Sequence, residues 1–346
     1  MIVPVLNFPT DPTEQNSFSD SIKRAALLGR AAVRMDSAAD AEALEKTLVA
    51  ASGFCEIQIF PAADSGSFSD DFAFSMLNAG ASHILVERLP DQSTIPADRI
   101  QLLENGVNSS KDCDPERVAD EWKAGNDWHV DGSDETALGD LIANTLFQLL
   151  SSDRPDGLWP TVIVDRLGVT LGLAYSNEES LRTAINQRVG CYWSRSRNEL
   201  WIKGATSGAT QSLVDIRLDC DYDALRFKVD QGAPGFCHKE THSCFGYERS
   251  FPEVIARLTE RIDGADAASF TRKLFNDPEM LRKKLLEEAG ELSEAETSDD
   301  AAWEAADVLY FSMIAMMRNG AQMHEVFAEL ARRMNRVQRR KNKLEQ

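Results

Sequence analysis

The sequence predicts a multidomain chain: an N-terminal α/β domain over 1–152, a central α+β domain over 153–250 and a C-terminal all-α helical bundle domain over 251–346. Three observations predict it. Short apolar runs alternate with amphipathic stretches in the first part, the order that builds a largely parallel sheet. The segment SSDRPDGLWP, with Pro and Gly, reads as a linker, and the residues after it are β-rich. From Phe251 onward strand signals nearly vanish and helical periodicity takes over. A length of 346 residues, 43% of them hydrophobic, exceeds what one typical core uses.

In the first domain IVPVLNF, AAVRM, EIQIF and HILVE read as strands, and 20–28, 40–51, 70–77 and 97–103 as helices. Further helices at 115–123 and 135–150 flank the short run DWHV. MLNAGASHILVE has the helix, glycine turn and strand order of phosphate-binding (βα) barrels, so a degenerate barrel-like domain is expected. Without a phosphate-cradling glycine loop or a convergent acid, base and nucleophile set, it reads as a non-catalytic scaffold. In the middle domain 161–173, 191–203, 213–219 and 224–229 read as β structure, and 178–186 as a helix. The C-terminal helices are expected at 251–261, 280–296, 301–319 and 323–338.

A formal net charge of −19 argues against general affinity for nucleic acid or anionic membranes, because the whole-molecule field repels phosphates. No basic stretch followed by an apolar one opens the chain, and no apolar run approaches the roughly 18 residues of a membrane span. Cytoplasmic residence is expected. Of six cysteines, Cys220, Cys237 and Cys244 fall in one segment rich in Asp and His. In a reducing compartment that clustering reads as metal binding, while Cys55, Cys113 and Cys191 read as ordinary thiols.

LDCDYDAL alternates Asp219, Asp221 and Asp223 with Cys220 and Tyr222. On an extended strand the two-residue period sets the three carboxylates on one face and Cys220 on the other. Crowded carboxylates repel unless a hard cation neutralises them, which suits Mg²⁺, though a solvated acidic edge strand has the same pattern. Cys237 follows Cys220 after sixteen residues, and Cys244 after six more, within GFCHKETHSCFGYE. Three thiolates suit Zn²⁺ and leave the open position that a catalytic zinc needs. A structural zinc completed by His238 or His242, or three unconnected thiols, fits the spacing equally.

Residues 165–248 resemble phosphoribosyl-AMP cyclohydrolase through AYSNEESLRTAINQRVGCYWSRSRNELWIKGATSGATQSLVDIRLDCDYDAL and then CHKETHSCF. The resemblance implies Mg²⁺ at Asp219, Asp221 and Asp223 and Zn²⁺ at Cys220, Cys237 and Cys244. It also implies a homodimer, because in that family the zinc ligands come from two subunits. The common bacterial form of the second motif is CHTG, two residues, then SC. Lys239 and Glu240 stand here in place of its Thr and Gly, with the spacing kept. The implied reaction opens a purine ring between N1 and C6, and zinc makes water acidic enough to attack near neutral pH, as in zinc nucleobase deaminases. His238 is the candidate proton shuttle, or a plain hydrogen-bonding histidine. Arg195, Arg197 and Lys203 offer cations for ribosyl phosphates, and Thr206 and Ser207 offer hydroxyls.

In LRKKLLEEAGELSEAE, Glu287 and Glu288 lie four and three residues before Glu291, and Glu304 and Asp307 of WEAADVLYF repeat the three-residue spacing. Two such helices packed antiparallel aim four or five carboxylates into one cleft. A solvated acidic face has the same spacing, but the interleaved Ala289, Leu292, Ala305, Ala306 and Val308 set some acids at the edge of the buried side. An acid there needs a metal or a partner. Residues 269–341 resemble phosphoribosyl-ATP pyrophosphohydrolase of the all-α NTP-pyrophosphohydrolase group, above all the versions fused to the cyclohydrolase. The resemblance implies Mg²⁺ at Glu287, Glu288, Glu291, Glu304 and Asp307, a catalytic role for Glu288, and Lys284 near phosphate. Phe311 stands where many bacterial relatives have His, and the tail RRMNRVQRRKNK reads mostly as a solvated helix end.

The two implied hydrolases of histidine biosynthesis act in sequence, phosphoribosyl-ATP giving phosphoribosyl-AMP and pyrophosphate before the ring opens. Two other readings fit the same residues: a general NTP pyrophosphohydrolase with a zinc nucleotide-binding domain, and a metal-stabilised non-catalytic scaffold.

Overall fold

The structure is a computed structural model that describes residues 1–35, 41–61, 69–90, 92–103, 106–246, 250–264 and 268–337. The expected helix start at Asp40 and the basic tail beyond 337 lie outside the described residues. The chain forms two compact units, Met1–Phe245 with Ala328–Gln346, and Gly246–Phe327.

The first unit opens with β1 (Ile2–Asn7), α1 (Pro12–Gln15), α2 (Phe18–Ala25), β2 (Arg30–Arg34), α3 (Ala41–Ala51), β3 (Glu56–Phe60), α4 (Asp70–Ala79), β4 (His83–Val86), β5 (Ile100–Leu102), α5 (Pro115–Lys123), β6 (Trp128–Asp131) and α6 (Glu135–Leu149). Its strands form one six-stranded sheet of order β5-β4-β3-β2-β1-β6, paired in parallel throughout. Strands covered on both faces are apolar on both. Val3, Val5, Ala32, Phe60, Leu85 and Leu103 pack together on one face. Ile57 and Ile59 meet Ile22, Leu44, Leu48 and Met76 of the helices on the other. Leu103 donates to Val86 at one sheet edge, and Asn108 bridges Val130 at the other. The sheet is a parallel half-barrel. The expected helix over 97–103 is a short 3₁₀ turn, Ala97–Arg99, followed by β5. Pairing of Ile100, Gln101 and Leu102 with Ile84, Leu85 and Val86 overrides the local helical pattern.

A polar network runs through this sheet. Buried Gln58 and His129 meet at 2.7 Å, and Gln58 Nε2 donates to Gln101 Oε1 at 2.8 Å and Asp127 Oδ2 at 3.1 Å. Arg30 Nη1 donates to Asp127 Oδ2 at 2.6 Å. Every member shown is partnered, so the network specifies register without leaving a buried polar group exposed to desolvation cost.

The middle region adds β7 (Trp159–Val164), β8 (Thr170–Ser176), α7 (Glu178–Gln187), β9 (Cys191–Ser194), β10 (Glu199–Ile202), β11 (Gln211–Leu218) and β12 (Leu225–Gln231). β9 and β10 form a hairpin, and the others a sheet of order β11-β12-β7-β8. An Asn177–Ser180 capping box starts α7. The linker expected near 153 does not divide the core. Leu28, Trp128, Leu141 and Leu146 share one cluster with Leu181, Ile185, Tyr192 and Phe227.

The second unit contains α8 (Phe251–Asp263), α9 (Phe270–Asn276), α10 (Pro278–Glu294) and α11 (Ser298–Arg318), with Leu274, Leu281, Phe311 and Ile314 as its small core. α12 (Met323–Met334) is divided between the units. Its buried Arg332 donates to the Ala79 carbonyl at the end of α4 and is held by Glu329, at 2.7 Å through Nε and again through Nη2. That guanidinium holds the Glu329 carboxyl down at about 2. Among the described residues no helix is long and apolar enough to cross a membrane.

Candidate active sites

Asp219, Asp221 and Asp223 occupy a turn between β11 and β12, not the extended strand that their alternation suggested. The chain reverses at Tyr222, whose φ is 64°, and Asp219 Oδ1 accepts the Asp223 and Ala224 amides at 3.0 and 3.1 Å. The turn gathers what a strand would have aligned: the three exposed carboxylates place ligand atoms within 4.8 Å of one another. Burial opposes ionisation of Asp219, but the Ala224 amide and neighbouring hydrogen bonds outweigh it and hold its carboxyl below the usual range. Its hydrogen bond to Asp219 and the Asp221 charge push Asp223 the other way. A donor set of crowded carboxylate oxygens with opposed affinities for protons fits a hard divalent cation.

Cys237 lies in the loop after β12, where its amide donates to Thr241 O at 3.1 Å and its carbonyl accepts the Glu240 amide at 2.9 Å. Glu240 takes a φ of 61°, so the loop keeps the left-handed turn suited to the family's glycine. The Cys244 amide donates to Leu171 O at 2.8 Å, which brings its thiol beside that of Cys237. The Lys239 amide, the Thr241 side chain and Cys244 hold the Cys237 thiol below its usual range. Burial and Cys237 push that of Cys244 up. Among the described residues no ligand cluster unites these two thiols with Cys220, which is exposed beside the aspartates. Within one chain Cys237 and Cys244 thus lie together and Cys220 stands apart.

Around them, Lys203 is buried near both thiols, and burial lowers its ammonium pKa. His238 is exposed, with Nδ1 3.9 Å from Cys237 Sγ. The Arg195 guanidinium stacks 3.7 Å from the centre of Tyr175, and Arg154 lies 4.7 Å from the same ring. Arg197 pairs with Glu199 at 3.0 Å. Thr206 and Ser207 lie exposed in the turn after β10, and Ser207 Oγ accepts the Ala209 amide at 3.4 Å. Sequence reasoning missed the buried Asp165, whose carboxylate meets His242 Nε2 at 3.0 Å and ties the cysteine loop to the β7–β8 turn. Their separation of 77 positions carries no local signal.

In the second unit Asp277 and Thr297 cap α10 and α11. The two helices bring Glu288, Glu304 and Asp307 together, ligand atoms within 4.8 Å. Glu288 is 8% exposed, and Glu304 Oε2 is buried with no hydrogen-bond partner. Burial, then the charges of Glu291, Glu288 and Asp307, push the Glu304 carboxyl above its usual range. An orphaned oxygen among carboxylates fits a divalent cation. Glu291 borders the group through Glu304, whereas Glu287 turns to Lys284 at 3.1 Å, with Lys284 also 3.6 Å from Glu288. Phe311, at the position of the bacterial histidine, is buried in the core.

The phosphoribosyl-AMP cyclohydrolase family model matches residues 172–246, and the phosphoribosyl-ATP pyrophosphohydrolase model matches 251–334. A histidine biosynthesis bifunctional protein of Parasynechococcus marenigrum is 36% identical over 198 residues, covering 51% of this chain and 89% of its own length. The chain belongs to this bifunctional hydrolase family. The histidine biosynthesis trifunctional protein of Saccharomyces cerevisiae is 35% identical over 350 residues, covering 99% of this chain. The bifunctional protein of Schizosaccharomyces pombe is 40% identical over 200 residues, covering 58% of this chain. This chain spans 42% of the first and 48% of the second. The similarity to the Saccharomyces protein therefore takes in the N-terminal half-barrel, which neither family model reaches.

Proposed function

We propose that the second unit hydrolyses phosphoribosyl-ATP to phosphoribosyl-AMP and pyrophosphate, and that the middle region adds water to phosphoribosyl-AMP to open its adenine ring between N1 and C6. The observation that carries this reading is that each matched segment holds one convergent carboxylate group, with thiols beside the first. Glu288, Glu291, Glu304 and Asp307 would hold Mg²⁺ in one site. Asp219, Asp221 and Asp223 would hold it in the other, with Zn²⁺ on Cys220, Cys237 and Cys244 across a homodimer. When bound, Mg²⁺ neutralises phosphate charge and Zn²⁺ supplies a Lewis acid for water activation.

The chain's own residues do the positioning. The Tyr175 ring holds the Arg195 guanidinium at 3.7 Å, and its donors suit a phosphate. Arg197, paired with Glu199 at the exposed surface, offers a second and more mobile cation. Lys203 holds positive charge beside the Cys244 thiol and favours its thiolate form, as the Lys239 charge does for Cys237. His238 stands next to a thiol ligand with its ring open to solvent, placed to carry a proton to the departing ring nitrogen. Lys284, held against Glu287 and Glu288, sets a cation at the rim of the acidic group for the triphosphate.

Incubation with phosphoribosyl-ATP, following pyrophosphate and the ring-opened product separately, tests the reading. Pyrophosphate should appear first and the ring-opened nucleotide after it. Ready cleavage of ordinary dNTPs with no ring opening would favour a general NTP pyrophosphohydrolase.

A further inference from the structure

A cavity of about 310 Å³ lies between α2 and the β11–β12 strands, apart from both carboxylate groups. Its wall includes Lys23 and Arg24 of α2, Arg166 after β7 and Arg188 at the end of α7, with Asp215 of β11 and Asp230 of β12. Four cations against two carboxylates make it locally positive in a chain of formal net charge −19.

The partners of these groups leave much of that charge available. Arg166 is committed to Asp230, with Nη2 at 2.6 Å from Oδ2. Asp215 is met by Lys228 at 3.2 Å and Arg226 at 3.7 Å. Lys23 and Arg24 meet the exposed acids Asp20, at 3.4 Å, and Glu135, at 3.8 Å, pairs that contribute little in water, and Lys23 also lies 4.7 Å from the centre of the Phe54 ring. The half-buried Arg188 side chain makes no ion pair or hydrogen bond among the described residues, and burial lowers its pKa.

Two backbone irregularities converge on the same wall. Arg188 holds φ 57° and ψ 39°, left-handed geometry that disfavours a bulky L-residue. A β-bulge between Leu213 and Asp215 places Val214 at the cavity. The Glu135 charge acts on Arg188 from beyond ion-pair distance, so the guanidinium keeps its hydrogen-bond donors for a ligand at the wall. Asp215 adds a carboxylate acceptor at the wall, held in place by Lys228 and Arg226.

We propose that this cavity binds a small hydroxylated phosphomonoester of the pentose 5-phosphate class. Arg188, Lys23 and Arg24 hold the phosphate, and a sugar hydroxyl donates to the Asp215 carboxylate at the wall. The wall draws on the half-barrel and on the middle sheet, so occupancy tightens their junction and gives the half-barrel a binding role.

Titration calorimetry of the full chain with ribose 5-phosphate, inorganic phosphate and ribose tests this. Ribose 5-phosphate should bind, inorganic phosphate more weakly, and ribose not detectably. Arg188→Gly suits the left-handed backbone, so it should keep the wild-type melting temperature while weakening ribose 5-phosphate binding tenfold or more. Arg24→Gln, at an exposed position, should weaken it several-fold. Absence of binding at millimolar ribose 5-phosphate overturns the proposal. Equal affinity of wild type and Arg188→Gly also overturns it, assigning the heat to the two active sites instead. Equal affinities for phosphate and ribose 5-phosphate overturn the sugar assignment.

Discussion

Glu288 on α10 and Glu304 on α11 bring carboxylate oxygens within 4.8 Å of each other, and one Glu304 oxygen is buried without a hydrogen bond. Without a cation this contact is repulsive, and it pushes the two helices of the hairpin apart. Glu304→Gln removes one charge at nearly constant shape. In chelator the variant should therefore melt no lower than wild type, while Mg²⁺ should raise its melting temperature less. Pyrophosphate release should fall at least about 100-fold, roughly 3 kcal/mol in barrier. Ring opening of supplied phosphoribosyl-AMP should be unchanged. Wild-type pyrophosphate release by the variant would remove Glu304 from the site.

Truncation before Asp153 tests the half-barrel. Read as a separable scaffold, it ought to be dispensable, but the shared cluster joins Trp128, Leu141 and Leu146 to Tyr192 and Phe227. Removing it strips apolar cover from the middle sheet, at about 25 cal/mol per Å² exposed. The truncated chain should aggregate or melt well below the full chain, and any soluble fraction should lose ring opening. A well-folded truncation with full ring opening would contradict the shared core.

The sequence made a largely parallel sheet legible because four of its strands, β1 to β4, are compact apolar runs. It misplaced 97–103, where the partner strand β4 decides the state. The acidic helix faces were legible from three- and four-residue spacing, but spacing did not separate Glu287, drawn off by Lys284, from Glu288. LDCDYDAL disclosed which carboxylates gather, not how, since alternation suits a strand and the left-handed Tyr222 makes a turn. The Asp165–His242 pair, the Arg188 cavity and the passage of α12 into the first unit all depend on distant contacts that no local pattern encodes.

His129 gives the half-barrel a pH signature. Burial, opposed by Asp127 and aided by Arg30, lowers its pKa from 6.5 to about 4, so the fold holds the ring neutral. A depressed histidine pKa contributes stability in full above the unfolded value, and that contribution is lost as pH falls from 6.5 toward 4. The loss should be on the order of a few kcal/mol. His129→Gln keeps a donor for Gln58 without titrating. Melting temperatures measured from pH 7 to 4 should fall less steeply for the variant, and parallel curves would show that His129 protonation is not linked to folding.

The separation of Cys220 from Cys237 and Cys244 makes the proposed dimer testable by mixing. Cys237→Ser alone should reduce bound zinc and abolish ring opening while pyrophosphate release continues, so phosphoribosyl-AMP accumulates. Cys220→Ser should do the same, because each variant spoils every site of its own homodimer. If one subunit supplies Cys220 and the other supplies Cys237 and Cys244, a mixed dimer behaves differently. One of its sites carries both lesions, and the other carries none. Unfolding and refolding equal amounts of the two variants together should form mixed dimers as about half of all dimers, restoring about a quarter of wild-type ring opening from two inactive preparations. Zinc content should recover in parallel. If all three thiols act within one chain, every subunit still carries a lesion after mixing, and ring opening stays absent. The outcome therefore separates a shared zinc site from an intrachain one without depending on how stable either variant is, provided that pyrophosphate release confirms refolding.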